Sequence, residues 1–233
     1  MTTDLDIMKK NMIDGQFKPM GISNDRLIDA FLTVPREIFL SEENKLNSYS
    51  DGHTEIKEGR WLLSSLSIAR LINTVNISPD DIILEIGSTT GYATAILAHL
   101  AALVIGVEYD NELAKITEKN LSQISYDNTV IIKRDHSLGY EKSAPYDKIF
   151  IFGTIPKILD DLLVQLSEYG SLVSVVKDSN SANILGKAVV IQKNKEAFSI
   201  SEIYETAGIK FDFSAQYVKE LADFIKEELS KLE

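Results

Sequence analysis

Residues 82–100, IILEIGSTTGYATAILAHL, decide the fold of this chain. An apolar run ends at Gly87, a short turn of Gly, Ser and Thr follows, and a helical pattern begins at Gly91. Glycines let the backbone approach a ligand closely, and the N-terminus of a helix presents unpaired N–H groups. The stretch therefore predicts the strand–turn–helix unit at which nucleotide-like cofactors are held.

From residue 81 onward, predicted strands alternate with predicted helices. Apolar strands are predicted at residues 81–86, 103–108, 129–132, 147–152 and 171–176. Amphipathic helices are predicted at residues 92–101, 111–123 and 156–166. Uniformly apolar strands between amphipathic helices indicate an α/β fold with a parallel sheet covered on both faces. Two further strands, at residues 188–191 and 198–203, need not be parallel to the others.

The other segments complete one expected domain over residues 1–233. Its first part is a helical lobe over residues 1–75, with a polar loop and with helices predicted at residues 5–15, 25–32 and 60–74. The core spans residues 76–213, and a charged helix with one apolar stripe is predicted at 214–233. This last helix either docks on the domain or makes a dimer contact, so we expect a monomer or a weak dimer.

Composition excludes several classes of protein. With a net charge of −11, the chain lacks the strongly basic surface that binds a nucleic-acid backbone. Apolar runs stay well short of the roughly 20 residues that cross a bilayer, and the first residues lack a secretory pattern. The absence of cysteine removes disulfides and thiolate chemistry. We therefore expect a cytoplasmic protein without nucleic-acid or membrane partners.

The three histidines lack the spacing of metal ligands, and we expect no metal site. His53 lies in the polar loop, either at the surface or as a substrate contact. His99 falls late on the helix after the glycine turn and is expected to be structural. His136 adjoins Asp135, and lining of a cofactor pocket remains an open alternative for it.

Acidic residues at successive strand ends point to the cofactor. The G-x-G-x-x-G pattern of dinucleotide sites is absent, and Glu85 would repel a pyrophosphate but suit an amino group. Glu108 ends the second strand, where a carboxylate can accept hydrogen bonds from ribose hydroxyls. Asp135 follows the third strand, where it can meet an adenine amino group. Because ligands bind at this edge of an open sheet, the order favours S-adenosyl-L-methionine.

The segment order resembles the protein-L-isoaspartate O-methyltransferases, particularly a divergent bacterial branch. The resemblance runs from about residue 11 to residue 176. The matching segments are NMIDGQ (11–16), IDAFLTVPREIFL (28–40), YSD (49–51), GRWLL (59–63), LEIGSTTGY (84–92), VE (107–108), APYD (144–147), LVQL (163–166) and GSLV (170–173). The Val-Pro-Arg-Glu-x-Phe pattern within them is fairly specific to this family.

This resemblance implies a class I S-adenosylmethionine-dependent methyltransferase. It implies a Rossmann-like, doubly wound, mostly parallel sheet of seven strands, with the N-terminal lobe helping to cover the cofactor. It also implies methyl transfer to a carboxylate of a peptide or protein substrate, which in the repair enzymes belongs to an isoaspartyl residue of damaged protein. The cofactor-binding residues would be Glu85, Gly87, Ser88, Thr89, Gly91, Tyr92, Glu108, Tyr109, Asp135 and His136.

Three departures from the family pattern concern the site itself. Thr89 replaces the middle glycine of the turn, so the turn is expected to differ locally or to bind more weakly. The family segment Gly-Gln-x-Ile-Ser-x-Pro aligns with residues 59–65, which puts Leu63 at the position of a functional serine. Ser64 is adjacent, but a shift of one residue is expected to point it elsewhere. His136 replaces a glycine and must turn its ring away from the adenine or stack with it.

A carboxylate acceptor needs no general base from the protein, because its typical pKa of about 4 leaves it ionised at neutral pH. No catalytic residue is therefore assigned. On the substrate side we place Arg60, Leu63 and Ser64, with Arg60 as a bidentate contact for an anionic acceptor or, alternatively, as a surface residue. Arg36 is expected to be structural, with Glu37 or a neighbouring loop as its contact.

Two other functions stay open at this point. Thr89 and Leu63 favour a methyltransferase-fold protein that is non-catalytic or differently specific and has lost isoaspartyl activity. An NAD-dependent oxidoreductase lacks the glycine pattern and an evident proton-transfer residue.

Overall fold

The computed structural model describes residues 4–177, 185–195 and 197–211. The helix predicted at residues 214–233 lies outside these ranges. Every helix in the described part of the chain is too short or too polar to span a bilayer.

The N-terminal lobe combines three helices with a small hairpin. Its elements are α1 (Asp4–Met12), α2 (Asp25–Thr33), β1 (Thr54–Lys57), β2 (Arg60–Leu62) and α3 (Ser65–Ile72). Asn24 begins α2 by accepting a hydrogen bond from the N–H of Leu27 at 3.2 Å. The helix stops at Val34 because the residue before a proline avoids the helical region.

The helix predicted at residues 60–74 was wrong in its first part. Arg60–Leu62 pairs antiparallel with β1, and α3 begins only at Ser65. The first and third residues of this strand are buried and the middle one is half-buried, which is the period of a strand. Ser64 accepts a hydrogen bond from the N–H of Ser67 at 3.2 Å and so fixes the start of the helix.

The core alternates strands and helices, as the sequence predicts. It contains β3 (Ile82–Ile86), α4 (Tyr92–Leu100), β4 (Leu103–Glu108), α5 (Asn111–Gln123), β5 (Thr129–Lys133), β6 (Tyr146–Ile155), α6 (Asp160–Leu163), β7 (Leu166–Val176), β8 (Gly186–Asn194) and β9 (Ala197–Thr206). The sheet has seven strands in the order β5-β4-β3-β6-β7-β8-β9. Strands β3 to β7 are parallel to one another, and β8 is antiparallel to both of its neighbours, β7 and β9. The expected fold class is confirmed.

Two helices are shorter than predicted. The first helix ends at Met12 and continues as a wider turn over Ile13–Phe17. The helix expected at residues 156–166 is reduced to Asp160–Leu163, because β6 runs on to Ile155 and β7 already begins at Leu166.

The strand order places the candidate site. β3 lies between β4 and β6. The chain adds β4 and β5 on one side of β3 and then crosses over to add β6 and β7 on the other, so the strand order reverses at β3. The carboxyl ends of these parallel strands meet at one edge, which we call the carboxyl edge. Open α/β sheets bind ligands at such a point of reversal. Apolar side chains cover both faces of the sheet, which leaves this edge for polar groups.

Asp110 caps α5 beside the carboxyl edge. Its Oδ1 accepts hydrogen bonds from the N–H groups of Glu112 and Leu113 at 2.8 and 3.2 Å. We expect Asp110→Ala to lower the free energy of unfolding by about 1 kcal/mol, measured by urea denaturation. Glu112→Ala is the matched control, because it removes an exposed carboxylate that shares the partner Lys57. A loss of equal size in the control would contradict the capping role.

Candidate functional site

The glycine turn after β3 adopts left-handed backbone at three residues. Gly87, Thr89 and Gly91 have φ angles of 82°, 53° and 95°. Glycine takes such angles freely, whereas a β-branched residue resists them.

Thr89 adopts the left-handed region itself although it is β-branched. Weaker cofactor binding, the other consequence expected of this residue, remains a prediction. The N–H of Thr89 donates to Oε2 of Glu108 at 3.0 Å, and its hydroxyl donates to the carbonyl of Ser88 at 2.8 Å. These hydrogen bonds hold a backbone conformation that would otherwise cost about 1–3 kcal/mol.

Glu108 forms a buried ion pair with Arg60. The guanidinium donates to both carboxylate oxygens, at 3.0 and 2.7 Å, and the two side chains are 5% and 0% exposed. Oε1 also accepts from the N–H of Asp110 at 3.0 Å. Burial alone would raise the pKa of Glu108, yet hydrogen bonds and charge from His136 and Arg60 lower it to about 2.

His136 and Arg60 both lie against the Glu108 carboxylate. His136 Nε2 lies 3.5 Å from Oε1 of Glu108 and accepts a hydrogen bond from the N–H of Tyr109 at 3.3 Å. The imidazole approaches one carboxylate oxygen, whereas the guanidinium of Arg60 binds both.

For Arg60 the surface position is wrong, and a bidentate contact with an anionic acceptor remains a prediction. Its guanidinium is buried, binds both oxygens of Glu108 and lies 5.0 Å from the centre of the Tyr109 ring. Its position on β2 explains this, because the hairpin lies over the end of β4.

Asp135 and His136 follow β5 at the carboxyl edge. Asp135 Oδ1 accepts hydrogen bonds from the N–H and hydroxyl of Ser137 at 2.9 and 2.7 Å. His136 is fully buried, with its ring 4.8 Å from that of Tyr109 and 5.1 Å from that of Phe211. The ring meets Tyr109 edge-on and Phe211 at a tilt, and its orientation relative to an adenine remains a prediction. The adenine contact of Asp135 remains a prediction.

Phe211 reaches the glycine turn from the far end of the chain. A Cβ placed on Gly87 would lie 2.6 Å from two atoms of the Phe211 ring, and one on Gly153 would lie 2.9 Å from its side chain. The N–H of Phe211 donates to the carbonyl of Thr154 at 2.8 Å, which anchors it beside β6. Sequence reasoning missed this residue, because no motif marks the last third of the chain.

Two predicted cofactor residues have side chains directed elsewhere. Glu85 is 1% exposed and accepts a hydrogen bond from the hydroxyl of Thr94 on α4. Burial raises the pKa of Glu85 to about 7. Tyr92 packs in the N-terminal lobe, where its hydroxyl lies 3.2 Å from the Ser65 hydroxyl and the Arg36 guanidinium lies over its ring. Their contacts with a cofactor remain predictions.

Ser88 is also buried within the turn. Its Oγ is buried and would lie 2.3 Å from a Cβ placed on Gly106, so the bare glycine on β4 makes room for it. Its cofactor contact is a prediction as well.

Leu63 lines a small cavity together with His53, Arg70, Gly153 and Tyr204. Its volume of about 20 Å³ has room for roughly one water molecule. The place of Leu63 on the substrate side remains a prediction. Burial lowers the pKa of His53, whose Nδ1 accepts a hydrogen bond from the N–H of Ser64 at 3.0 Å. His53 is therefore half-buried at this cavity rather than a surface residue.

Three other residues have structural roles. Ser64 caps α3, which agrees with the expectation that its hydroxyl points away from the serine position. Arg36 is structural as expected, but it donates to the carbonyl of Leu63 at 2.8 Å rather than pairing with Glu37. His99 is also structural, with Asp29 at 2.9 Å from its Nε2. Among the described residues no acidic or histidine cluster of metal-binding size occurs.

The residues at the carboxyl edge are of the types that bind an adenosyl sulfonium compound. A glycine turn, a helix N-terminus and a strand-end carboxylate are the groups that such a ligand requires. Their arrangement does not leave these groups open to it. Both oxygens of Glu108 bind Arg60, and the open face of Gly87 is covered by Phe211.

Solved structures share the fold of this protein. A structure described as a protein-L-isoaspartate O-methyltransferase has a TM-score of 0.77 at 23% identity, over 88% of this chain and 66% of that one. A beta-aspartate methyltransferase from Plasmodium falciparum, in complex with S-adenosyl-L-homocysteine, has a TM-score of 0.72 at 20% identity, over 90% and 99% of the chains. The fold is that of class I methyltransferases.

The family follows from the sequence comparisons. The model of the family Protein-L-isoaspartate(D-aspartate) O-methyltransferase (PCMT) matches residues 8–209. A protein-L-isoaspartate O-methyltransferase of Protochlamydia amoebophila is 36% identical over 168 residues, which are 72% of this chain and 80% of the relative. One from Herpetosiphon aurantiacus is 32% identical over 177 residues, or 76% and 79%. The chain belongs to this family, which confirms the resemblance in its sequence.

The Arg60–Glu108 pair gives a stability prediction. Glu108→Gln keeps the shape but leaves the buried guanidinium without an anion, so we expect the free energy of unfolding to fall by about 3–5 kcal/mol. Glu141→Gln is the control, because it removes the partner of Arg134 from a pair at the surface and should lower the free energy of unfolding far less. Similar losses in urea denaturation would contradict the special role of the buried pair.

Glu85 gives a pH prediction. Its pKa in the folded protein, about 7, lies above the ordinary 4.5, so the unfolded chain loses this proton first as the pH rises. We therefore expect wild-type stability to fall between about pH 4.5 and about pH 7. In Glu85→Gln this fall in stability with rising pH should be absent, while the glutamine still provides a hydrogen-bond partner for Thr94. Parallel curves of unfolding free energy against pH would show that Glu85 is not a buried neutral acid.

Proposed function

We propose that this protein is an S-adenosylmethionine-dependent methyltransferase that methylates the carboxylate of isoaspartyl residues in peptides or proteins. The family match over residues 8–209 carries the proposal. The glycine turn and the strand-end carboxylate support it, because they are the groups that the family resemblance assigns to the cofactor. The cofactor, when bound, supplies a methyl group on a sulfonium centre.

The chain's own residues need only bind and desolvate the acceptor. A carboxylate with a pKa near 4 is already ionised, so no general base is needed. Leu63 gives the small cavity an apolar wall, which would weaken the hydration of an acceptor carboxylate held beside it. The guanidinium of Arg70, 3.7 Å from the centre of the Tyr204 ring, brings positive charge to the same cavity.

As further parts of this proposal, the protein is cytoplasmic, a monomer or weak dimer, and takes no nucleic-acid partner. The net charge of −11 supports the last of these, because a phosphate backbone repels an acidic surface.

A second function is favoured by the same edge of the sheet. The closed arrangement of Arg60 and Phe211, and Leu63 at the serine position, suit a family member that has lost isoaspartyl activity. The two functions differ in one measurable property, the transfer of methyl to an isoaspartyl carboxylate.

The test uses labelled S-adenosylmethionine and a pair of peptides. We expect label in a peptide with one isoaspartyl residue and none in the same peptide with ordinary aspartate. Cofactor binding without labelling of the isoaspartyl peptide would overturn the proposed acceptor and leave a methyltransferase of other specificity. Leu63→Ser is the informative variant, since a rise in isoaspartyl labelling would assign the specificity to this position.

A further inference from the structure

Four side chains form a continuous row across the carboxyl edge. The Arg60 guanidinium lies 5.0 Å from the centre of the Tyr109 ring, and that centre lies 4.8 Å from the centre of the His136 ring. The row ends at Phe211, whose ring centre is 5.1 Å from that of His136. It runs from the N-terminal hairpin over the ends of β4 and β5 to the glycine turn. We call it the edge row.

Burial shows that the edge row fills the candidate crevice. Arg60 is 5% exposed, Phe211 is 7% exposed, His136 is fully buried and Tyr109 is half-buried. Glu108, which lies beneath the row, is fully buried. Gly87 is buried as well. Residues that line an open crevice are accessible to solvent on the crevice side. These residues are buried against one another, so the chain's own side chains take the space in which the adenosyl group would lie.

Phe211 can occupy this space because Gly87 lacks a side chain, which is the same property that suits the turn to a ligand. A glycine has no Cβ, and its bare Cα lets another group come close. At Gly87 that group is the Phe211 ring, which also packs on Gly153. Thr154 anchors the segment, because its N–H donates to the carbonyl of Ile209 at 2.7 Å and its carbonyl accepts from the N–H of Phe211.

Arg60 closes the other end in the same way. The oxygens of Glu108 that would accept from ribose hydroxyls both accept from its guanidinium. A ribose hydroxyl can therefore bind only after a charge-assisted, bidentate contact has been given up.

We propose that Phe211 and Arg60 compete internally with the cofactor, so that S-adenosylmethionine binds only after Phe211 leaves Gly87 and Arg60 releases Glu108. The proposal rests on the proposed function and adds a closed state to it. The apparent affinity is then the intrinsic affinity reduced by the fraction of molecules that are open. Any group that stabilises the closed edge weakens cofactor binding without touching the cofactor.

Phe211→Ala tests the proposal in the full chain. We expect S-adenosyl-L-homocysteine to bind this variant about tenfold or more tightly than wild type in calorimetry, because burial of a phenylalanine ring contributes at least that factor. Phe198→Ala is the matched control, since Phe198 is 42% exposed on β9 and should leave the affinity unchanged. Circular dichroism establishes that each variant is folded, and Phe211→Leu should give an intermediate affinity.

Fluorescence gives a second readout that does not depend on affinity. Trp61 is the single tryptophan of the chain and adjoins Arg60 on β2. In stopped-flow mixing with S-adenosyl-L-homocysteine, we expect the rate of the Trp61 signal in wild type to level off at high ligand, because opening limits it. In Phe211→Ala the rate should keep rising with ligand concentration.

The outcomes separate this proposal from the function on which it rests. Equal affinities in wild type and Phe211→Ala, with rates that rise alike, overturn the closed state and leave the methyltransferase function intact. Failure of both proteins to bind at millimolar ligand overturns the proposed function itself. Tight binding in Phe211→Ala with weak binding in wild type supports both.

Discussion

The buried ion pair between Arg60 and Glu108 is the interaction on which the rest of the site depends. It joins the N-terminal hairpin to the end of β4, with both side chains almost fully removed from water. Removal of two charges from water costs several kcal/mol per ion, and only bidentate geometry with further hydrogen bonds offsets that cost. Glu108 meets this condition, since it also accepts from the N–H groups of Thr89 and Asp110.

Because of these contacts, one carboxylate organises three parts of the molecule. The N–H of Thr89 ties it to the left-handed residue of the glycine turn, and the N–H of Asp110 ties it to the start of α5. Arg60 ties it to β2. A residue that the sequence marks only as a ligand for ribose is therefore a structural centre as well.

The sequence predicts the structural elements that depend on residues close together along the chain. Apolar strands and the glycine turn at Gly87 are local signals, and they give the sheet and its carboxyl edge correctly. Local patterns do not predict contacts between segments that are far apart in the sequence. Residues 60–62 were predicted as helix because their strand character depends on pairing with β1. The contact of Phe211 with Gly87 joins positions at opposite ends of the core, and no local pattern encodes it.

Two of the three departures from the family pattern meet at this same centre. Thr89 replaces a glycine and donates its N–H to Glu108, and His136 replaces another and lies 3.5 Å from the same carboxylate. A further replacement joins them, because Arg60 stands opposite the family's glutamine and binds both oxygens. Leu63, the remaining departure, lines the small cavity instead. The three replacements at Glu108 form a connected set, in which each change supports the closed arrangement made by the others.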